Sequence, residues 1–164
     1  MADKTNTAYI AFGANLGNRR SNLQSALAAL NASKDIEVLC ISEMIETEPE
    51  GAANQGRYLN AAASLVTSLS PGQLLKVMLE IEISHGRDRS KEKRWGPRLL
   101  DLDLLMYEDL VIDQKGLTLP HPRMHKRAFV LGPLAEIAGQ LVHPVRKETI
   151  TALLEKVLSH ARVE

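Results

Sequence analysis

The order in which hydrophobic period changes along the first two thirds of this chain leaves few folds open. Residues 7–13 form a β-rich run closed by Gly13. Leu23, Ala26, Leu27 and Leu30 then recur at helical spacing, which predicts an amphipathic helix over 20–33. A second strand is expected at 36–42, and a third at Tyr58–Thr67. In the third, Leu59, Ala61, Ala63 and Leu65 fall on one face, and Tyr58, Asn60, Ala62 and Ser64 on the other. Ser70-Pro71-Gly72-Gln73 starts a second helix: Ser caps, Pro fits the first turn, and Gln73 reaches back to the cap. Leu74, Leu75, Met78 and Ile81 supply its apolar stripe, and His85-Gly86 its stop. A fourth strand follows at 99–107.

Strand, helix, strand, strand, helix, strand is the order of a ferredoxin-like βαββαβ core, an antiparallel sheet with both helices on one face. Residues 46–57, with Pro49, Gly51 and Gly56, read as a long loop. Beyond the core, a short strand is expected near 110–112 and helices at about 127–138 and 148–161. These last helices have the other sheet face to cover, so the fold class is an α+β sandwich.

Composition sets the remaining limits. At 164 residues the chain fits one domain over 1–164. Its 20 Lys and Arg balance 20 Asp and Glu, which gives no global field for nucleic acid or an anionic membrane. No run approaches the ~18 apolar residues of a membrane span, and the start, MADKTNTAYIAFG, lacks the form of a signal peptide. Cys40 is the one cysteine. It lies in an apolar run, where a buried, inert thiol is expected, and a reducing cytoplasm is the default compartment.

The chemistry concentrates in the segment RWGPRLLDLDLL. On a strand, Asp101 and Asp103 share a face, with Leu100, Leu102, Leu104 and Met106 in a row on the other. Two neighbouring carboxylates repel unless a cation joins them. Oxygen ligands at this spacing suit magnesium completed by substrate phosphates. The same spacing also fits two solvated aspartates. The preceding segment favours the metal. Residues 87–98 hold six basic side chains (Arg87, Arg89, Lys91, Lys93, Arg94 and Arg98) against two acids, Asp88 and Glu92. A cationic loop beside a metal site is what a polyphosphate needs. Trp95 within it either packs into the core or closes over a bound ring. Tyr58 and Asn60 offer a stacking plane and a donor–acceptor pair for a heterocycle edge, or are simply a polar strand end. The turn GANLGN is neither a Walker loop nor a dinucleotide fingerprint. His121 and His125 have a zinc-like spacing but no third ligand in sequence. His121, close to Arg123, Lys126 and Arg127, reads better as a phosphate contact. Glu82, one turn before the basic segment, is either a ligand contact or an arginine partner.

Four segments together, FGANLGN, TEPEG followed by YLNAA, RWGPRLLDLDLL and PHPRMHKRAFVLGPLAEIA, resemble the 6-hydroxymethyl-7,8-dihydropterin pyrophosphokinases of the folate pathway. They occur in that family's order over most of the chain. The resemblance implies transfer of diphosphate from ATP to a pterin hydroxymethyl group, with release of AMP. It implies a three-layer α/β/α form of the fold and a monomeric, cytoplasmic enzyme that uses two magnesium ions. By motif, Asp101 and Asp103 would hold the ions. Arg87 and Arg98 would stabilise the transferring group, and Trp95 would close over both substrates. His121 and Arg127 would contact ATP phosphates, with Glu82, Leu104 and Thr118 near the nucleoside. Thr47, Tyr58, Asn60 and Phe129 would form the pterin pocket. Leu99, Ile45 and Gly56 stand where the family usually has Thr, an aromatic and Pro. Two other classes compete: a magnesium-dependent phosphohydrolase using the same aspartates, and a non-catalytic nucleotide or RNA-binding module. The second lacks the aromatic-rich strand pattern of RNA-binding sheets, because aromatics are only 4% of residues.

Overall fold

A computed structural model describes residues 5–48, 56–86 and 99–163. Arg87, Arg89, Arg94, Trp95 and Arg98 fall outside them, as do Pro49 and Gly51. The expectations for those residues therefore rest on sequence.

The elements run β1 (Asn6–Ala14), α1 (Arg19–Ala32), β2 (Ile36–Ile41), β3 (Ile45–Thr47), β4 (Tyr58–Thr67), α2 (Pro71–Ser84), β5 (Asp101–Tyr107), β6 (Ile112–Gln114), β7 (Leu117–Leu119), α3 (Ala128–Ala138) and α4 (Ile150–Val163). The main sheet has the order β2-β4-β1-β5, all antiparallel, with β3 added to β4. This is the expected core. Ser70 and Gln73 form the expected reciprocal cap on α2. Gly86 ends that helix at φ +92°, a conformation a Cβ disfavours.

The sheet separates two apolar layers. On one side Leu23, Ala26 and Leu30 of α1 and Leu74, Met78 and Ile81 of α2 pack on Ile10, Phe12, Leu65 and Leu102. On the other, Val130, Leu131 and Leu134 of α3 and Ile150 and Leu153 of α4 pack on Ala11, Ala62, Leu105 and Met106. A buried side chain of this size contributes roughly 1.5–3 kcal/mol, so each layer can hold its helices without further devices. The result is a three-layer α/β/α sandwich.

Five details depart from the sequence reading. The loop over 46–57 is shorter at its start, because Ile45–Thr47 pairs with Tyr58, Leu59 and Asn60. The short strand near 110–112 begins at Ile112 and is half of a hairpin with Leu117–Leu119. Met106 does not share a layer with Leu100, Leu102 and Leu104. Tyr9 faces Met106 and Ile10 faces Leu104, so Leu105 is bulged, and parity flips after it. Cys40 is exposed, not buried. It lies on edge strand β2, where a second register shift between Val38 and Cys40 breaks the alternation. The stripe of α2 is also displaced: Glu82 is buried beside Ile81, whereas Leu75 is only partly covered.

The turn after α3 is organised by a histidine. His143 is 3% exposed, and its Nδ1 accepts the backbone N–H groups of Val145 and Arg146 at 3.3 and 3.0 Å. Burial, then His125 and Arg146, push its pKa down to about 4. The folded value lies below that of the unfolded chain, near 6.5. The unfolded state therefore binds the extra proton between those pH values. Stability is unaffected by this group above pH 6.5 and falls by about 1.4 kcal/mol per pH unit on the way to pH 4. Urea unfolding at a series of pH values should show this slope. His143→Asn, which keeps an acceptor but does not titrate, should flatten it by about one proton.

Candidate active site

The site is built by strand pairing on the face that α3 only partly covers. Gly13 of β1 faces Asp101 of β5 on one side and Asn60 of β4 on the other, and Asn60 faces Ile45 of β3. One step along, Asp103 faces Ala11, which faces Ala62. Directly paired residues share a sheet face, so both aspartates, Asn60 and the small residues between them form one floor. Gly13 keeps that floor open. A Cβ there would meet Asn60 Oδ1 at 3.0 Å and Tyr58 Cδ1 at 3.5 Å. Asn60 Nδ2 donates to Thr47 Oγ1, which fixes which way its amide faces.

Above the floor lies an open cleft. Thr47, Tyr58, Asn60, Asp101, Asp103, Arg127 and Phe129 line it, together with Glu48, Val130 and residues 11–13 of β1. Arg127 and Phe129 come from the start of α3, where the Arg127 guanidinium stands 5.5 Å from the centre of the Phe129 ring. Seven of the residues expected from sequence thus converge from four separate parts of the chain.

His121 sits next to the aspartates. Its backbone N–H donates to the carbonyl of the bulged Leu105 at 2.8 Å. The irregularity in β5 therefore also anchors this loop. His121 Nδ1 accepts the Arg123 N–H at 3.2 Å, which leaves the hydrogen of the neutral ring on Nε2, 4.0 Å from Asp103 Oδ1. Burial, then Arg127 and Arg123, push the His121 pKa down to about 4. At neutral pH the ring is an uncharged donor. His125 packs edge-on against His143, with ring centres 6.0 Å apart.

Glu82, Leu104 and Thr118 are not brought into the cleft. Leu104 is in the core, and Thr118 is exposed on β7. Glu82, 1% exposed, accepts the Leu102 N–H at 2.8 Å. It thereby satisfies a backbone donor on the outer edge of β5, midway between the two aspartates. Sequence reasoning missed Ala11, Phe12, Gly13, Glu48 and Val130 as cleft residues. For Gly13 the only signal was its place in GANLGN, which reads equally well as a turn.

The donor set tests the metal. Among the described residues no group of three or more His, Cys, Asp and Glu side chains can hold an ion. Two carboxylates on one face suit a hard cation that takes its remaining ligands from water or phosphate, as magnesium does, and not a closed protein cage.

A family model described as 7,8-dihydro-6-hydroxymethylpterin-pyrophosphokinase matches residues 9–139. The chain belongs to this family. A 2-amino-4-hydroxy-6-hydroxymethyldihydropteridine pyrophosphokinase of Bacillus subtilis is 44% identical over 90% of this chain and 84% of its own length. The Haemophilus influenzae protein of the same name is 40% identical over 96% and 97%. Among solved structures, a Plasmodium falciparum HPPK-DHPS crystallised with pteroate superposes with a TM-score of 0.78 at 15% identity. It covers all of this chain, which spans 44% of that longer one, and the likeness is one of fold. The matched region contains every residue that lines the cleft.

Proposed function

We infer that the cleft over Asp101, Gly13 and Asn60 is where this chain performs its family's reaction. The chain is an ATP-dependent diphosphotransferase. It transfers diphosphate from ATP to the hydroxymethyl group of 6-hydroxymethyl-7,8-dihydropterin, giving AMP and the pterin diphosphate, a step of folate biosynthesis. The observation that supports the site assignment is the cross-strand row of Asp101, Gly13 and Asn60. Strands lie about 4.8 Å apart, so Asn60 and Asp101 are separated by about 10 Å. A bicyclic heterocycle read at Asn60 therefore points an exocyclic alcohol towards the carboxylates.

In this reading Tyr58 and Phe129 provide planes for the ring, and Asn60, its amide oriented by Thr47, reads the ring's polar edge. Asp101 and Asp103 hold two magnesium ions. Bound magnesium neutralises phosphate charge and lowers the pKa of a coordinated alcohol. Neutral His121 donates from Nε2 to a phosphate oxygen, and Arg127 adds a fixed positive charge from the start of α3. Arg87 and Arg98, from the basic segment, stabilise the charge of the transferring group, and Trp95 covers it. Thr118, exposed on β7, belongs to the nucleoside side, and Glu82 and Leu104, both buried, support β5 from within. The work is positioning and charge stabilisation. The enzyme acts in the cytoplasm as a monomer on small molecules, without nucleic acid. Among the described residues, no helix is long and apolar enough to cross a membrane.

A product assay separates this reaction from hydrolysis. Protein, ATP and magnesium should release AMP only when the dihydropterin is present, in a one-to-one ratio with pterin diphosphate. Equal ADP or AMP without pterin means water is the acceptor, and the transferase reading is then lost.

A further inference from the structure

Thr47 and Tyr58, the directly paired residues that form one end of the cleft, are held by a weak element. β3 makes three residue pairs with β4 and has no other strand neighbour among the described residues. Ladder pairing this short is marginal by itself. Glu46, between Ile45 and Thr47, points to the opposite sheet face, away from the cleft and towards the start of α1. There Arg19, the first residue of α1, forks. Its Nη2 donates to Glu46 Oε1, and its Nη1 donates to the Arg57 carbonyl at 2.9 Å. Glu46 immediately precedes Thr47, and Arg57 immediately precedes Tyr58. A single guanidinium therefore ties together the two backbone positions that carry the paired cleft residues. The Arg57 side chain extends the chain of charges: it reaches Glu46 at 3.9 Å and Glu48, which lines the cleft, at 2.9 Å. Asn15 adds a weaker tie, Nδ2 to the Gly56 carbonyl at 3.3 Å.

We propose that Arg19 is a positioning residue for pterin recognition, setting the separation of Thr47 and Tyr58 from behind the sheet through Glu46 and the Arg57 carbonyl. Two features support this over a surface ion pair that does nothing else. An exposed pair contributes little to stability, so global folding does not depend on it. The geometry is a two-point fork, one carboxylate and one carbonyl, that lysine's single ammonium cannot reproduce. The hydrogen bond from Arg19, and then its charge, hold the Glu46 carboxyl below its usual range, so Glu46 stays ionised for the clamp.

The inference rests on Thr47 and Tyr58 belonging to the pterin end, so the test contains Tyr58→Ala as a separate arm. Pterin affinity is measured by equilibrium binding in the presence of a non-hydrolysable ATP analogue, alongside KM for each substrate, kcat and Tm. Arg19→Met should raise pterin Kd and KM by about ten-fold, leave ATP KM and kcat within about two-fold, and shift Tm by no more than a few degrees. Arg19→Lys should recover only part of the loss. Glu46→Gln, which weakens one arm of the fork and leaves Arg19 bonded to the Arg57 carbonyl, should reproduce part of the Arg19→Met defect, and the double variant should be no worse than Arg19→Met, because Arg19→Met already removes both arms. Unchanged pterin affinity in Arg19→Met, with weakened affinity in Tyr58→Ala, overturns the role of Arg19 alone. Unchanged affinity in both overturns the assignment of this end of the cleft as well. An equal loss for ATP and pterin, or an unfolded Arg19→Met beside a folded, fully active Glu46→Gln, makes Arg19 merely structural.

Discussion

Asp101→Ala should lower kcat by at least about a thousand-fold, ~4 kcal/mol of barrier, while the protein stays folded. Asp101 and Asp103 stand on the same face of β5, beside Gly13 and Ala11. Removing one carboxylate deletes half of the described protein donor set for the cation. It also removes like-charge repulsion within the pair, so Tm should shift by no more than a few degrees. The defect should appear in kcat, and metal affinity should fall in parallel. Circular dichroism and a urea midpoint equal to wild type would establish that the loss is chemical. Activity within ten-fold of wild type would end the assignment of Asp101 as a metal ligand.

Glu82→Ala should have the opposite signature, a large loss of stability. The carboxylate is buried, and it accepts the Leu102 N–H, a donor that faces no neighbouring strand among the described residues. Alanine leaves that N–H unsatisfied and opens a cavity between α2 and β5. Each of these costs about 1–3 kcal/mol, so a total near 3 kcal/mol is expected from urea unfolding. Glu82→Gln keeps the shape and one acceptor, and should cost less than half as much. Because Leu102 lies between Asp101 and Asp103, the alanine variant should also lower turnover below the melting transition. A stable Glu82→Ala variant would show that this edge of β5 is held by other contacts.

Much of this was readable in one dimension. The bounds of β4, the Ser70 cap of α2 and the sharing of a face by Asp101 and Asp103 follow from local rules. Side-chain period, capping chemistry and chain reversal at glycine act within a few residues. The departures arise where pairing, and not local pattern, decides. Met106 was assigned to the wrong layer because a single bulged residue, Leu105, inverts parity without altering composition. Cys40 was expected inside because its run is apolar, but an edge strand has a side that nothing covers. β3 went unseen because three residues carry no usable period, and only pairing with β4 makes them a strand.

For the site the division is similar. Sequence alone was enough to find the aspartate pair, the cationic segment that precedes it, and the family that has both. Local chemistry and motif order carry that information. Tertiary structure decided that Asn60 shares a floor with Asp101, that Gly13 keeps that floor open, and that Glu82 lies behind β5 instead of in the cleft. It also decided that Arg19 reaches from behind the sheet to Glu46 and Arg57. Those relations join residues dozens of positions apart through strand register, and register is fixed by the packing of two layers against the sheet, which no local window contains.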